Sequence, residues 1–501
     1  MSTNLNNDQT EKTVIPNEKK GKIIFPTRED EARIQAYNYY EKLFLGEHFD
    51  AFNLKVDSVN FNEKYDKIRY VMVNFAGMIS KIVADLLFGE EPKIKAGEDG
   101  DQEFIDALVR DNNLHVLLYE SSLSNSPLGD DAFKVRVGKR NPSDKKPTII
   151  IESITPKIYF PKLDPFNAKG EPSVVELAWV FTQNDKNYLR KEIHEAGKIT
   201  NEVYLYEGKE VKQQVNLSIL GIDGLLEVQE TGISRKLTVH IPNWRFGNSH
   251  FGLSDYKDLD NLFFAVNNRM TMIDNILDKH SDPILMVPNG VLDEDGKVKK
   301  KALGVIEVAE GETGKPEYII WDASLENAFK EIEKMIEFLY MTGEVSPDVL
   351  GLGEGVNDSG KALKFKLIRT LAKVNRKKLY YTRGIKEIFM IAQELAKKYQ
   401  IEVGGVKLKG EPTEVMIDWA DGLPIDISEQ IETETKAIDV GITTKKAAAQ
   451  RVYNINEEEA EALIKEKDDE NKLAMPTMAL GNKFAGDNEE VKPPIKKPVS
   501  K

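Results

Sequence analysis

The stretch Gly355-Val-Asn-Asp-Ser-Gly360-Lys361 satisfies Gly-x-x-x-x-Gly-Lys, the spacing with which a glycine loop cradles phosphate oxygens on backbone N–H groups and adds a lysine. Two features argue against a nucleotide site. The next residue is Ala362, so no hydroxyl is placed to hold magnesium. The loop also follows Tyr340-Met-Thr-Gly-Glu-Val-Ser-Pro347, which reads as a helix end and a turn, whereas the motif needs a buried strand. A loop as glycine-rich as Gly351-Leu-Gly-Glu-Gly-Val-Asn-Asp-Ser-Gly360 meets the spacing easily by chance.

The loop leads into concentrated positive charge. Between Ser359 and Lys386 there are ten lysines and arginines and no carboxylate, in a chain of formal net charge −14. Such a run is either a cationic face solvated or paired with acidic residues of other segments or subunits, or a DNA-facing surface for a subset of its members. Aromatic residues within it are few (Phe365, Tyr380, Tyr381), which does not make a stacking platform for single strands. Asp418, Asp421 and Asp426 flank Trp419 and Pro424; they could bind a cation, although turn-forming aspartates are the plainer reading. No carboxylate pair stands out as an acid–base couple. The chain has no cysteine, hence no disulfide and no thiolate ligand, and its six histidines form no metal-binding pair, so no cofactor or metal is expected.

At 501 residues, with 41% hydrophobic and 30% charged residues, the chain reads as a folded multi-domain or elongated subunit. No stretch is apolar enough to span a bilayer, and the N-terminal residues lack a signal-peptide core, so assembly in a cytoplasm is expected. The acidic balance argues against a general nucleic-acid coat.

Residues 1–25 read as a disordered arm. Apolar periodicity predicts helices over 29–45, 66–88 and 102–124. From Ala132 to His240, short alternating runs such as Phe133-Lys-Val-Arg-Val137 and Thr148-Ile-Ile-Ile-Glu152 predict a β-rich region. A long helix is expected from an N-cap at Ser254 to about His280. Strand-like runs (Ile284-Leu-Met-Val287, Val305-Ile-Glu-Val308, Tyr318-Ile-Ile-Trp321) separate it from a second amphipathic helix after Ser324. Ser359 caps the basic helix, whose stripe Leu363, Leu367, Leu371 and Val374 continues in helical character towards Tyr399. Residues 402–419 read as a hairpin, and three short charged helices follow over 428–440, 443–452 and 456–469. The tail from about 476 reads as disordered.

These residues resemble the portal proteins of tailed double-stranded-DNA bacteriophages, of the long-tailed type. The resemblance runs from about residue 30 to 470. It rests on the order of several motifs: Asn74 with Ile82-Val83 and Leu86-Leu-Phe-Gly89 up to Pro92; Leu128-Gly-Asp-Asp-Ala132; Ile241-Pro-Asn243 with Asn248 and Gly252-Leu-Ser-Asp255; Ser359-Gly-Lys-Ala-Leu-Lys364; and Trp419-Ala-Asp-Gly-Leu-Pro-Ile-Asp426. It implies an α+β, elongated subunit and a ring, typically of about twelve copies, at one vertex of the capsid of a virion. In these terms 26–252 with 375–425 is a wing, 253–282 and 324–345 are stem helices, and 283–323 is a β-rich clip. Residues 346–358 are a tunnel loop, 359–400 a long basic helix, 401–425 a wing hairpin, 426–470 a helical crown and 471–501 a tail. The implied DNA-facing segment is Pro347, Asp348, Val349, Leu350, Gly351, Leu352, Gly353, Glu354, Gly355, Val356, Asn357 and Asp358, with Lys361 and Lys364 as weaker candidates. Implied partners are further copies of the chain, transiently held double-stranded DNA, a terminase motor, head–tail connector proteins, and scaffold and capsid proteins, with no membrane. The portal itself is not expected to be an enzyme. A P-loop-like nucleotide-binding factor and a non-portal oligomeric structural protein stand as alternatives.

Overall fold

The computed structural model describes residues 22–53, 70–222, 224–281, 284–286, 317–319, 325–350, 360–420, 427–453 and 455–474. The chain divides into two compact units, Met1–Leu423 and Pro424–Lys501, and is of mixed α+β class.

The first unit opens with helical elements. α1 (Arg28–Leu45) is capped by Thr27, whose hydroxyl accepts from the Asp30 amide, and its first turn carries Glu29, Asp30 and Glu31 where the helix dipole favours them. After the single turn α2 (His48–Ala51) comes α3 (Phe75–Phe88), shorter than the expected 66–88. Of that span, 66–69 lies outside the described residues, and the helix starts only after Asn74, whose side chain accepts from Gly77 N at 2.8 Å. The preceding Val71 and Val73 amides donate instead to Thr271 Oγ1 and Asn267 Oδ1, both at 3.0 Å, so the chain is held extended there. The expected helix over 102–124 is likewise two, α4 (Gln102–Asp111) and α5 (Leu114–Leu128). Asn112 interrupts it by accepting from the amide of Ile151, and Asn113 takes a left-handed φ of 45°.

The β-rich region is built of two sheets. Its strands are β3 (Asp130–Gly138), β4 (Thr148–Ile154), β5 (Tyr159–Lys162), β6 (Val174–Gln183), β7 (Lys186–Glu195), β8 (Lys198–Glu207), β9 (Glu210–Val215), β10 (Val228–Glu230) and β11 (Thr238–Pro242). Two short strands precede them in the chain, β1 (Ile23–Ile24) and β2 (Lys93–Lys95). The larger sheet has the order β1-β9-β8-β7-β6-β5 with β10 on β8, and the smaller is β11-β3-β4, all pairs antiparallel. Ile23 and Ile24 therefore pair with Val211 and Glu210 inside the span expected to be a disordered arm.

Two helices flank a short strand pair. α6 (Asp260–Ser281) begins six residues later than the expected Ser254, because the Ser254 hydroxyl accepts from Tyr256 N and the Asp255 amide donates to Ser126 O, holding 254–259 in turns. β12 (Ile284–Met286) pairs antiparallel with β13 (Glu317–Ile319), and α7 (Leu325–Gly343) follows; the expected run 305–308 lies outside the described residues. The basic segment forms α8 (Gly360–Lys366) and α9 (Ile368–Tyr399), separated by Leu367 at φ −90°, ψ 2°. α9 is about 48 Å long at the usual helical rise. It buries Val374, Tyr381, Ile385, Ile388, Phe389 and Leu395 in the main core, which it shares with α3 and the smaller sheet. Gly384 lets it sit close over β11, where a Cβ would meet Ile241 Cδ1 at 2.4 Å. The expected hairpin over 402–419 is only β14 (Glu402–Val403) with β15 (Val406–Lys407). The alternating strand β16 (Met416–Asp418) pairs instead with β2.

The second unit contains α10 (Ile427–Asp439), α11 (Lys445–Tyr453) and α12 (Glu457–Ala474), close to expectation, with α12 running past residue 470 into the expected tail. Asn456 and Glu459 cap α12 reciprocally, each side chain accepting from the other's amide. The Arg451 guanidinium grips Glu434 through two nitrogens, at 2.6 and 2.7 Å, joining α11 to α10.

Where α5 hands over to β3, the backbone crosses itself. Gly129 caps α5 at φ +84°, and a Cβ on Gly252 would fall 2.1 Å from its carbonyl oxygen and 2.9 Å from the Asn243 amide. Both obstacles are backbone, which cannot swing aside. Gly252→Ala is expected to lower unfolding stability by about 2 kcal/mol, read from denaturant midpoints against wild type.

Candidate functional site: the basic helix and its counter-charges

Pro347, Asp348, Val349 and Leu350 form one 3-10 turn directly after α7. Ser346 N donates to Thr370 Oγ1 at 2.8 Å, tying the turn to α9, and the Ser346 hydroxyl donates to Asp348 at 2.8 Å. Lys366 lies 3.3 Å from the same carboxylate. Gly351, Leu352, Gly353, Glu354, Gly355, Val356, Asn357 and Asp358 lie outside the described residues. Lys361 sits in the first turn of α8, and Lys364 is exposed on the same helix. Asp418 pairs with Lys95 at 3.2 Å, whereas Asp421 and Asp426 lie outside the described residues.

The remaining cations of the basic run each meet an acceptor elsewhere in the unit, some of them sharing one. Arg369 and Arg376 share Glu344, at the left-handed end of α7. Lys373 and Lys377 share Asp255. Lys378 donates to Ala420 O at 2.7 Å and lies over the Trp419 ring, Arg383 reaches Glu171, and Lys386 reaches Glu414. A run that reads as surplus charge along the chain is thus largely a set of counter-charges in space.

Asp255 is the centre of this arrangement. Its carboxylate is fully buried and takes four side-chain donors: Ser126 Oγ at 2.7 Å and Lys377 Nζ at 2.8 Å on Oδ2, Asn243 Nδ2 at 3.1 Å and Lys373 Nζ at 3.3 Å on Oδ1. Lys373 also donates to Gly343 O, the last carbonyl of α7, at 2.9 Å, and Lys377 to Asn243 Oδ1. One carboxylate therefore joins α5, the segment after β11, the lead-in to α6, the end of α7 and the first third of α9. Two ammoniums facing one carboxylate leave an excess positive charge. Against the cost of burial, the lysines hold Asp255 well below the usual carboxylate range, while burial, joined by Lys373, pushes Lys377 down to about 8.

A second buried carboxylate stands beside it. Asp130 accepts from Tyr37 OH at 2.6 Å, Gly252 N at 2.7 Å and the His240 ring at 2.8 Å. His240 in turn stacks on His250 with ring centroids 4.6 Å apart. Asn74, Asp130, Asn243, Gly252 and Asp255 were visible in the sequence as scattered motif residues; the last four meet here. Lys373 and Lys377 were visible only as members of the run. Their i, i+4 spacing on the face shared by Thr370, Val374 and Tyr381 is the signal that marks them as inward-facing lysines in need of an anion.

Among the described residues no group of three or more His, Asp or Glu could hold a metal ion, and the element before the glycine loop is a helix and turn rather than a strand. No helix among them is long and apolar enough to cross a membrane. What the arrangement does is positional: it fixes both ends of the segment between α7 and α9 to one buried anion. The sequence pattern of phage portal proteins of the SPP1 Gp6-like kind matches residues 27–473. The chain belongs to that portal family. A comparison with curated proteins finds no match. Among solved structures, the portal chain is similar to a chain in the neck of an empty GTA particle solved with C6 symmetry, at 10% identity and a TM-score of 0.45. It is also similar to one in the neck of a native GTA particle solved with C12 symmetry, at 10% identity and a TM-score of 0.41. Each likeness covers 75% of this chain and 89% of the other.

Removing the shared anion leaves two buried ammoniums unpaired. Asp255→Asn is expected to cost the portal about 3–5 kcal/mol of stability, and Lys377→Met distinctly less because Lys373 still faces Asp255. Between pH 8 and 10.5 an unfolded Lys377 keeps a proton that the folded one has released, so stability gains across that window. The melting temperature of wild type is expected to rise with pH there relative to Lys377→Met. The Asp255 contribution has the same sign in acid, being present above the ordinary carboxylate value of 3.8 and lost as pH falls below it.

Proposed function

We propose that this chain closes into a dodecameric ring at one capsid vertex, forming the channel through which double-stranded DNA enters and leaves. The packaging motor and the head–tail connector dock on this ring. The observation that carries the reading is the family match over residues 27–473. The order of elements supports it: a helix, a small strand pair, a second helix, a glycine loop and a long basic helix. α6 and α7 take the part of the stem, β12–β13 that of the clip, and 347–358 that of the tunnel loop. The first-unit sheets take the part of the wing and α10–α12 that of the crown.

Charge fits the task. A ring of about twelve copies at −14 each carries on the order of −170 formal charges, which repels the DNA backbone and avoids a salt-bridged grip that would stall transport. The pairing of Arg369, Lys373, Arg376 and Lys377 within the chain supports the same conclusion, because cations held by Glu344 and Asp255 are not offered as phosphate clamps. No base-reading chemistry is expected, since every sequence must pass.

Electron microscopy with native mass measurement of the purified protein tests the ring. The expected result is closed particles of about twelve subunits with a channel wide enough for duplex DNA. A monomer at all concentrations overturns the reading. Replacing Gly351–Asp358 by a short serine linker is expected to leave the number of subunits in the ring unchanged and abolish DNA packaging.

A further inference from the structure

Buried carboxyl groups gather where α5, α9 and the smaller sheet pack together, and they are not partnered alike. Asp255 faces two lysines, and Asp130 is reached by a tyrosine hydroxyl, a backbone amide and an imidazole. Asp131 has neither a cation nor an imidazole. It is 1% exposed, and its side-chain partners among the described residues are hydroxyls. Ser153 Oγ of β4 lies 3.3 Å from Oδ1 and 3.2 Å from Oδ2, so one weak donor is divided between both oxygens. Ser121 of α5 supplies a second hydroxyl, which is itself 3.0 Å from Tyr381 OH of α9, and the Ala132 amide completes the set.

Nothing packed against Asp131 supplies the missing charge. β11 sets Ile241 opposite it in the sheet. α9 brings the Tyr381 phenol, which burial and Asp131 together keep neutral, and Lys377 one turn earlier is held by Asp255 and Asn243. On β4, Glu152 pairs with Arg136 on the other face. On β3 itself the neighbour is Asp130, a further carboxyl. Burial therefore pushes Asp131 up to about 7, with Asp130 adding to the effect and the hydroxyls and the Ala132 amide opposing it. A protonated Asp131 has a proton of its own to donate into the line Tyr381–Ser121–Asp131–Ser153. An ionised one can only accept, and it leaves an unpaired charge in a dry interior.

We propose that Asp131 is a proton-operated joint between α9 and the smaller sheet. Held neutral, it fastens α5, β3, β4 and α9 through one line of hydroxyls; ionised, it loosens them. The ordinary carboxylate value is 3.8, so between there and about 7 the folded chain holds a proton that the unfolded chain has released. The contribution of the joint is full below that window and is lost as pH rises through it.

Asp131→Asn keeps the shape and carries no charge at any pH. Melting temperatures of the full chain and of this variant, taken from about pH 4 to about pH 8, test the joint. Wild type is expected to lose stability relative to Asp131→Asn up to about pH 7 and no further above it, the difference cancelling the titration of distant groups. Parallel curves overturn the proposal. Hydrogen exchange locates the loss: relative to Asp131→Asn, amide protection in α5 and α9 of wild type is expected to fall about tenfold or more between about pH 5 and about pH 7. Protection that stays level overturns it as well. Ser153→Ala removes a donor to the ionised form while leaving Asp131 in place, and it decides the matter should Asp131→Asn fail to fold. Its carboxyl is expected to hold the proton about threefold or more tightly, so that the fall ends at a higher pH than in wild type. A fall that ends at the wild-type pH or below it overturns the joint.

Discussion

The first unit depends on one buried carboxylate. Asp255 is reached by lysines from α9, a serine from α5 and an asparagine from the segment after β11, and one of those lysines extends the link to the last carbonyl of α7. Each of these groups is polar and buried, so each carries a desolvation cost that the shared anion helps to offset. The cost is also what makes the arrangement specific. A register shift of α9 by one residue would move both ammoniums off the anion and leave three charges unpaired in a dry interior. Elements far apart in sequence are thereby held in one relative placement, which apolar contacts alone would fix less sharply.

The concentration of positive charge in a strongly acidic chain takes on a different meaning in space. Read along the sequence, it invites a picture of a helix reaching for phosphate. In the fold, Glu344, Asp255, Asp348, Glu171 and Glu414 come from four different regions to meet it. The exposed members of this set contribute little each to stability. Their larger effect is on potential, since a guanidinium facing a carboxylate is a poor trap for a passing polyanion.

Much of the architecture was legible because it is local. Apolar periodicity located α1, α7, the C-terminal end of α9 and the three C-terminal helices to within a few residues, and alternation located the strands between 130 and 240; the single basic helix expected from Ser359 is instead broken at Leu367 into α8 and α9. What was not legible comes from distant side chains capturing backbone groups. Thr271 and Asn267 hold Val71 and Val73 extended and so delay α3; Ile151 draws Asn112 out of a helix; Ser126 turns the lead-in to α6. The partner of β16 is β2, more than three hundred residues earlier by position, and no local pattern could name it. For the site, the motif residues Asn243, Gly252 and Asp255 stood out without a reason, and the lysines had a reason without a partner. Their meeting is a tertiary fact.

The interruption at Leu367 has a mechanical consequence. Leu367 is non-helical in its backbone yet buried in the main core, while Thr370, three residues on, is hydrogen-bonded to Ser346. A pull applied upstream acts on α8, a lever of about 10 Å, whose far end is a side chain anchored in packed hydrocarbon. Torque on that lever is taken up at the fulcrum before it can bend the 32-residue rod beyond it. The helix that carries the inward-facing lysines is in this way insulated from torque on α8.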